Sequence, residues 1–297
     1  MIRRILPLVA AAFVTIILAG CLDADETFVI NPDGSGKVSV ESTVEQMDMG
    51  FSDDSKKVSA KEAVNKFVAE TVNGSSGVEV WKDVVCKRLA DGKMYFKGTA
   101  YFKDIAEVDL KNVSTSRFGV ERSAGGEVTY YLGGDPSAKS ETDETKAPVQ
   151  MTDEELNAKA DSMKQNTEMG LSMMRPFFNG MRVHTVLRSA GTFKSAAGFD
   201  HAADGSTSIL FSGQRMMTLV DSLTSLPNYW KDAVRAEASG QTDARNQEMR
   251  KMMFGTDKPG ATYQVEGAKP LFDYAAEVRA ARKGYAALLK KYAVKEK

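Results

Sequence analysis

Cysteine and histidine are almost absent: the chain of 297 residues has two of each. That excludes a disulfide-dense scaffold and a His- or Cys-rich metal site, and no Glu-x-x-His or paired-His spacing supplies zinc ligands. Neither charge predominates. Lys and Arg number 39 against 40 Asp and Glu, so there is no basic field to hold nucleic acid. A hydrophobic run long enough to span a bilayer as a helix, about 20 residues, is missing too. There is no G-x-S-x-G and no phosphate-cradling loop ahead of Lys and Ser or Thr. Paired carboxylates such as Asp53 with Asp54, or Asp153 with Glu154 and Glu155, fall in polar loops or a first helical turn, where solvation and the helix dipole explain them. What remains, 42% hydrophobic and 27% charged, is ordinary globular composition.

The first twenty residues carry an address. Arg3 and Arg4 precede Ile5 to Leu18, uncharged and mostly apolar, and then come Ala19, Gly20 and Cys21. A basic start, a short apolar core and small residues at the end describe a secretory signal segment. Leu18, Ala19, Gly20 and Cys21 resemble the lipobox of bacterial lipoproteins. The resemblance implies that the Cys21 thiol takes a diacylglyceryl group and that the chain is cut before Cys21, to leave a new amino terminus that in this family is often acylated. One acyl chain holds a protein to a bilayer only marginally, and two or three hold it stably. Leu22 stands where Asp would retain such a protein in the inner membrane of enterobacteria-like cells. The outer membrane, facing the periplasm, is therefore expected if the source has two membranes. The alternative is a plain secreted protein whose Cys happens to follow Gly.

The pattern beyond predicts a signal peptide over 1–20, a lipidated Cys and polar tether over 21–27, an α+β region over 28–132, a polar loop over 133–150 and a second α+β region over 151–297, either separate or continuous with the first. Phe28, Ile30, Val38, Val40 and Val44 share one parity about an Asn31-Pro32-Asp33-Gly34-Ser35-Gly36 turn, which reads as a strand hairpin. Ser59 with Glu62 and Thr152 with Glu155 are capping-box patterns that open a helix up to Gly74 and a long helix ending near Gly180. Strand patterns recur near Val78–Cys86, Met94–Phe102, Phe118–Tyr131, Met181–Leu187, Ser206–Phe211 and Thr262–Val265. Further helices are expected over 216–223, 228–236 and 243–254, and a last one opening at Pro270, with Val278, Ala281, Tyr285 and Leu289 on its apolar face. The fold class this implies is α+β: an antiparallel sheet built from hairpins, amphipathic helices packed on it, and a long C-terminal helix.

Few constellations suggest chemistry. Asn31, Asp33, Ser35 and Gly36 match the opening of a calcium loop, but Ser42 stands where the bidentate Glu belongs, so a tight hairpin is the better reading. Met169, Met173 and Met174, and again Met249, Met252 and Met253, are soft sulfur ligands suited to Cu(I) or, more simply, gap-filling core residues. His184 and His201 read as surface histidines. Cys86 falls on the apolar parity of its strand and reads as a small hydrophobe. Tyr95, Lys97, Tyr101 and Lys103 alternate along one strand face, a candidate contact surface unless a helix covers it.

The stretches Glu26–Glu45 and Thr185–Phe211 resemble uncharacterised envelope lipoproteins of the LppM kind, whose chains open with a strand, a Pro-Asp-Gly-Ser-Gly turn and a strand. The resemblance implies architecture and no activity. The expected function is a non-enzymatic, membrane-anchored envelope lipoprotein without a cofactor, partnered with the membrane and with an envelope component. The alternative is a copper or lipophilic-ligand carrier using the Met-rich helices.

Overall fold

The computed structural model describes residues 22–45, 59–133, 151–239 and 242–295. The signal segment, Cys21 and residues 134–150 of the polar loop lie outside the described residues. The architecture is α+β, with two sheets among the described residues. The larger runs β3-β4-β2-β1-β7-β10-β9 and the smaller β5-β6-β11-β8. Their strands are β1 (Leu22–Ile30), β2 (Gly36–Val44), β3 (Val78–Arg88), β4 (Met94–Phe102), β5 (Phe118–Arg122), β6 (Glu127–Leu132), β7 (Arg182–Ser189), β8 (Thr192–Ala197), β9 (Asp200–His201), β10 (Thr207–Ser212) and β11 (Gly260–Gln264). The helices are α1 (Ala60–Gly74), α2 (Asp153–Asn179), α3 (Gly213–Thr224), α4 (Tyr229–Ala238), α5 (Thr242–Phe254) and α6 (Tyr274–Lys291).

The β1–β2 hairpin forms in full register from Leu22↔Val44 to Ile30↔Gly36. Its turn is held from within. Asp33 Oδ1 accepts from Ser35 N (3.0 Å) and Ser35 Oγ (2.7 Å), and Gly34 supplies the left-handed φ of +92° that the turn requires. Asn31 donates to Ser35 Oγ and Phe272 O and accepts from Leu271 N, so the oxygens that resembled a calcium loop organise the hairpin and tie down the approach to α6. Because that approach is held, α6 opens later than Pro270 suggests, with Asp273 capping Ala276 N at 2.9 Å.

Two features depart from expectation. Residues 22–27, expected to be part of a polar tether, are the first six residues of β1, and Leu22 and Ala24 are fully buried. The alternation already starts at Leu22, but Glu26 occupies a core position and Asp23 and Asp25 flank it, which masks the period. The larger sheet is also not wholly antiparallel: β1 pairs with β7 in parallel, from Asp23↔Arg182 to Ile30↔Ser189. A parallel pair needs a crossover rather than a hairpin, and here all the chain from β2 through α2 makes it.

One face of the larger sheet forms the core. Phe67 of α1 packs on Phe96 (6.3 Å between ring centroids), and Phe118 of the smaller sheet meets Phe28 edge-on at 5.1 Å. Tyr130 and Tyr263 carry their hydroxyls inward to Ser189 and Thr207. Both capping boxes are formed, Ser59 with Glu62 and Thr152 with Glu155. The 27-residue α2, about 40 Å long, packs chiefly on α3 and α4. Leu156 and Ala160 meet Val234, and Arg175 forks onto Asp221 (2.8 and 2.7 Å).

Candidate functional site

The opposite face of the larger sheet carries the residues expected to form a contact surface, and α6 divides them. Tyr101 is buried under that helix beside Val80, Val278 and Ala281. Its hydroxyl donates to Glu277 Oε2 at 2.8 Å, and Lys37 donates to the same carboxylate. Lys37 and Tyr101 hold the Glu277 carboxyl low although burial opposes them, and burial with the Glu277 contact pushes the Tyr101 hydroxyl up. Tyr95 and Lys97 lie on the open part of the face, and Lys103 is exposed beyond the strand end. Alternation therefore brings the four to one side of β4 but not to one surface. The helix that covers Tyr101 comes from some 170 residues further along the chain.

The open part is a ladder of paired charges. Glu41 accepts from Tyr95 Oη and Lys97 Nζ, both at 2.9 Å, and those bonds, Lys97 foremost, hold its carboxyl below the usual range. One strand further on, Arg182 bonds Asp23 (3.0 Å) and forks onto Asp25, while His184 Nδ1 lies 3.2 Å from Asp25 Oδ1. Exposed pairs of this kind contribute about 0 to 1 kcal/mol each. Their effect is to set a polar, sign-alternating surface rather than to hold the fold together.

The core side of β1 holds a group the sequence reading missed. Glu26 is 1% exposed, and burial pushes its carboxyl up to about 7 against the opposing pull of the Ser116, Ser114 and Thr185 hydroxyls. Thr185 Oγ1 reaches Glu26 Oε2 at 3.3 Å, and Ser116 shares a hydrogen at 2.8 Å with Thr185. Glu26 Oε1 has no partner among the described residues, and neither has Ser42 Oγ on the same sheet face. The signal that could have found Glu26 is parity, since it alternates with Leu22, Ala24, Phe28 and Ile30.

Among the described residues, the methionines of α2 and α5 do not share one environment. Met174 packs into the core, as do Met249 and Met253, whereas Met169, Met173 and Met252 are 59%, 70% and 37% exposed. The gap-filling reading fails for those three, and a copper trio of 169, 173 and 174 is split because residues 173 and 174 lie about 100° apart around the helix. His201 stacks on Phe193 at 3.8 Å. Among the described residues no three His, Cys, Asp or Glu side chains group as metal ligands would, and no helix is long and apolar enough to cross a membrane.

Cys86 is half-buried on β3, its backbone N–H donating to Tyr292 Oη at 3.1 Å. Burial pushes the thiol from 9.0 up to about 12, which lowers its thiolate fraction near pH 8 roughly a thousandfold. A chromogenic disulfide reagent added to native protein at pH 8 is expected to modify Cys86 slower than a free thiol by about that factor. A rate matching free cysteine would show an activated thiol instead.

Comparison with known proteins adds little. No protein-family model matches the chain. No curated protein matches it either. Among solved structures, the NMR structure of the folded domain of the Mycobacterium tuberculosis LppM protein matches at 10% identity and a TM-score of 0.29, over 65% of this chain and 84% of that one. At that score the likeness carries no argument about fold or function.

Proposed function

We propose that this chain is a lipoprotein of the cell envelope, held to a bilayer by acyl chains on Cys21 and presenting its α+β body to another envelope component without catalysing a reaction. The observation that supports it is the place of Leu22: the residue that follows the Leu18-Ala19-Gly20-Cys21 sequence is already paired to Val44 in β1 and fully buried. Leu22 in place of Asp favours the outer membrane facing the periplasm in a two-membrane cell. The partner surface in this reading is the open sheet face with Tyr95, Lys97, Glu41, Asp25 and Arg182, whose alternating charges suit a polar, folded partner more than a nucleic acid or an apolar ligand.

The test is metabolic labelling with palmitate, followed by mass measurement of the N-terminal peptide. The wild-type chain is expected to incorporate label and to begin at an acylated Cys21, and Cys21→Ala is expected to lose both the label and membrane retention. Unlabelled cytosolic protein that keeps Met1 would sink the reading.

A further inference from the structure

Four of the seven large apolar side chains exposed among the described residues lie on the helical layer: Met169 and Met173 on α2, Leu226 in the α3–α4 turn, and Met252 on α5. Scattered exposed apolar residues need no explanation, but the first two are organised. Residues 162, 169 and 173 recur at helical spacing on the side of α2 opposite its packed stripe of Leu156, Ala160, Leu171, Met174 and Phe178. Along that outward side the chemistry changes. It is polar at exposed Ser162 and Gln165 and becomes apolar at Met169 and Met173, towards the helix C-terminus.

That C-terminus sits at a defined place. Asn179 leads through Gly180 and Met181 into Arg182, the register partner of Asp23. Gly213, the first residue of α3, donates to Met181 O at 2.9 Å and lies so close to Phe178 O that a Cβ there would fall 2.0 Å from it. The end of α2, the start of α3 and the first residues of β1 are thus locked together. Met173 and Met169 lie about 9 and 15 Å along the helix from Asn179, and Cys21 is one peptide step, about 3.8 Å between Cα atoms, from Leu22.

We infer that the last turns of α2 rest on the lipid bilayer, with Met169 and Met173 inserted among the acyl chains beside the Cys21 anchor. This rests on the lipoprotein reading and deepens it by orienting the body. The occupant follows from where the chain outside the structure joins: whatever membrane-embedded group precedes Leu22 brings this end of the sheet to the lipid. A second copy of the chain has no such reason to meet this end. Unbranched thioether side chains suit the disordered headgroup and acyl boundary because they adapt to its shape.

The experiment uses the full-length acylated protein in vesicles of phosphatidylethanolamine and phosphatidylglycerol, with a nitroxide attached at Met169→Cys, Met173→Cys or Ser162→Cys. All three positions are exposed, so folding is preserved, and the protonated Cys86 leaves the new thiol as the labelling site. Expected is a ratio of oxygen to nickel-chelate accessibility severalfold higher at 169 and 173 than at 162. Equal, aqueous ratios at all three positions in protein whose Cys21 carries acyl chains would overturn the docking alone. An immobilised label poor in both quenchers would report a protein contact and overturn it too. A Cys21 without acyl chains would remove the anchoring reading and this inference with it, and the N-terminal mass distinguishes that case.

Discussion

Glu26→Gln is expected to stabilise the fold above about pH 7 and to flatten its pH dependence between about pH 4.5 and 7. Burial raises the Glu26 carboxyl from 4.5 to about 7, so between those values the folded chain keeps a proton that the unfolded chain has lost. Stability therefore falls as pH rises through the window and levels off above it. The difference is on the order of 3 kcal/mol between the two ends. Glutamine has nearly the same shape and no charge to desolvate, and its carbonyl oxygen can still accept from Thr185 Oγ1. Urea denaturation at pH 5 and pH 8 measures this. The wild type should be weaker at pH 8 and the variant about equal at both. A wild type that gains stability across the window would refute the burial argument. Asp25, Glu41 and Asp221 act oppositely but elsewhere: their lowered carboxyls give stability that is lost only as pH falls below about 4. The two effects together place maximal stability on the acidic side of neutrality.

Phe28→Ala is expected to cost about 3 to 5 kcal/mol. Phe28 is 1% exposed at the junction of the two sheets, edge-on to Phe118 of the smaller sheet at 5.1 Å and tilted to Phe102 of the larger at 6.4 Å. Truncation leaves a cavity that neither sheet can close without moving the other, since Tyr130 and Tyr263 also fix their separation through Ser189 and Thr207. Val29→Ala, one residue on but facing away from that core and only partly buried, should cost under about 1.5 kcal/mol. Equilibrium denaturation of both variants decides it. A Phe28→Ala loss no larger than that of Val29→Ala would mean that the sheets do not share a core.

Local chemistry was readable from the sequence where a few neighbouring residues decide the outcome. The Asp33-Gly34-Ser35 turn, the two capping boxes and the alternation of β4 all depend on contacts within five residues or within one strand. Long-range partners were not readable. Nothing near Leu22 announces Arg182 as the neighbour of Asp23, and nothing near Tyr101 announces Glu277. Composition also misled in two places. Asp23 and Asp25 made a buried strand look like a tether, and the apolar character of Met169 and Met173 suggested burial where helical phase turns them outward. The candidate contact surface failed as a unit for the same reason as the parallel pairing, because its cover arrives from the far end of the chain.

Under the anchoring proposed at Cys21, a strand that is already formed at Leu22 leaves the body no leash. Nine residues of extended β1 reach about 30 Å, and that sets how far from the lipid surface the hairpin tip at Asp33 can stand. Held in that way, the body would sweep no wide volume in search of a partner, and the envelope component proposed to engage it would have to approach within a few nanometres of the membrane.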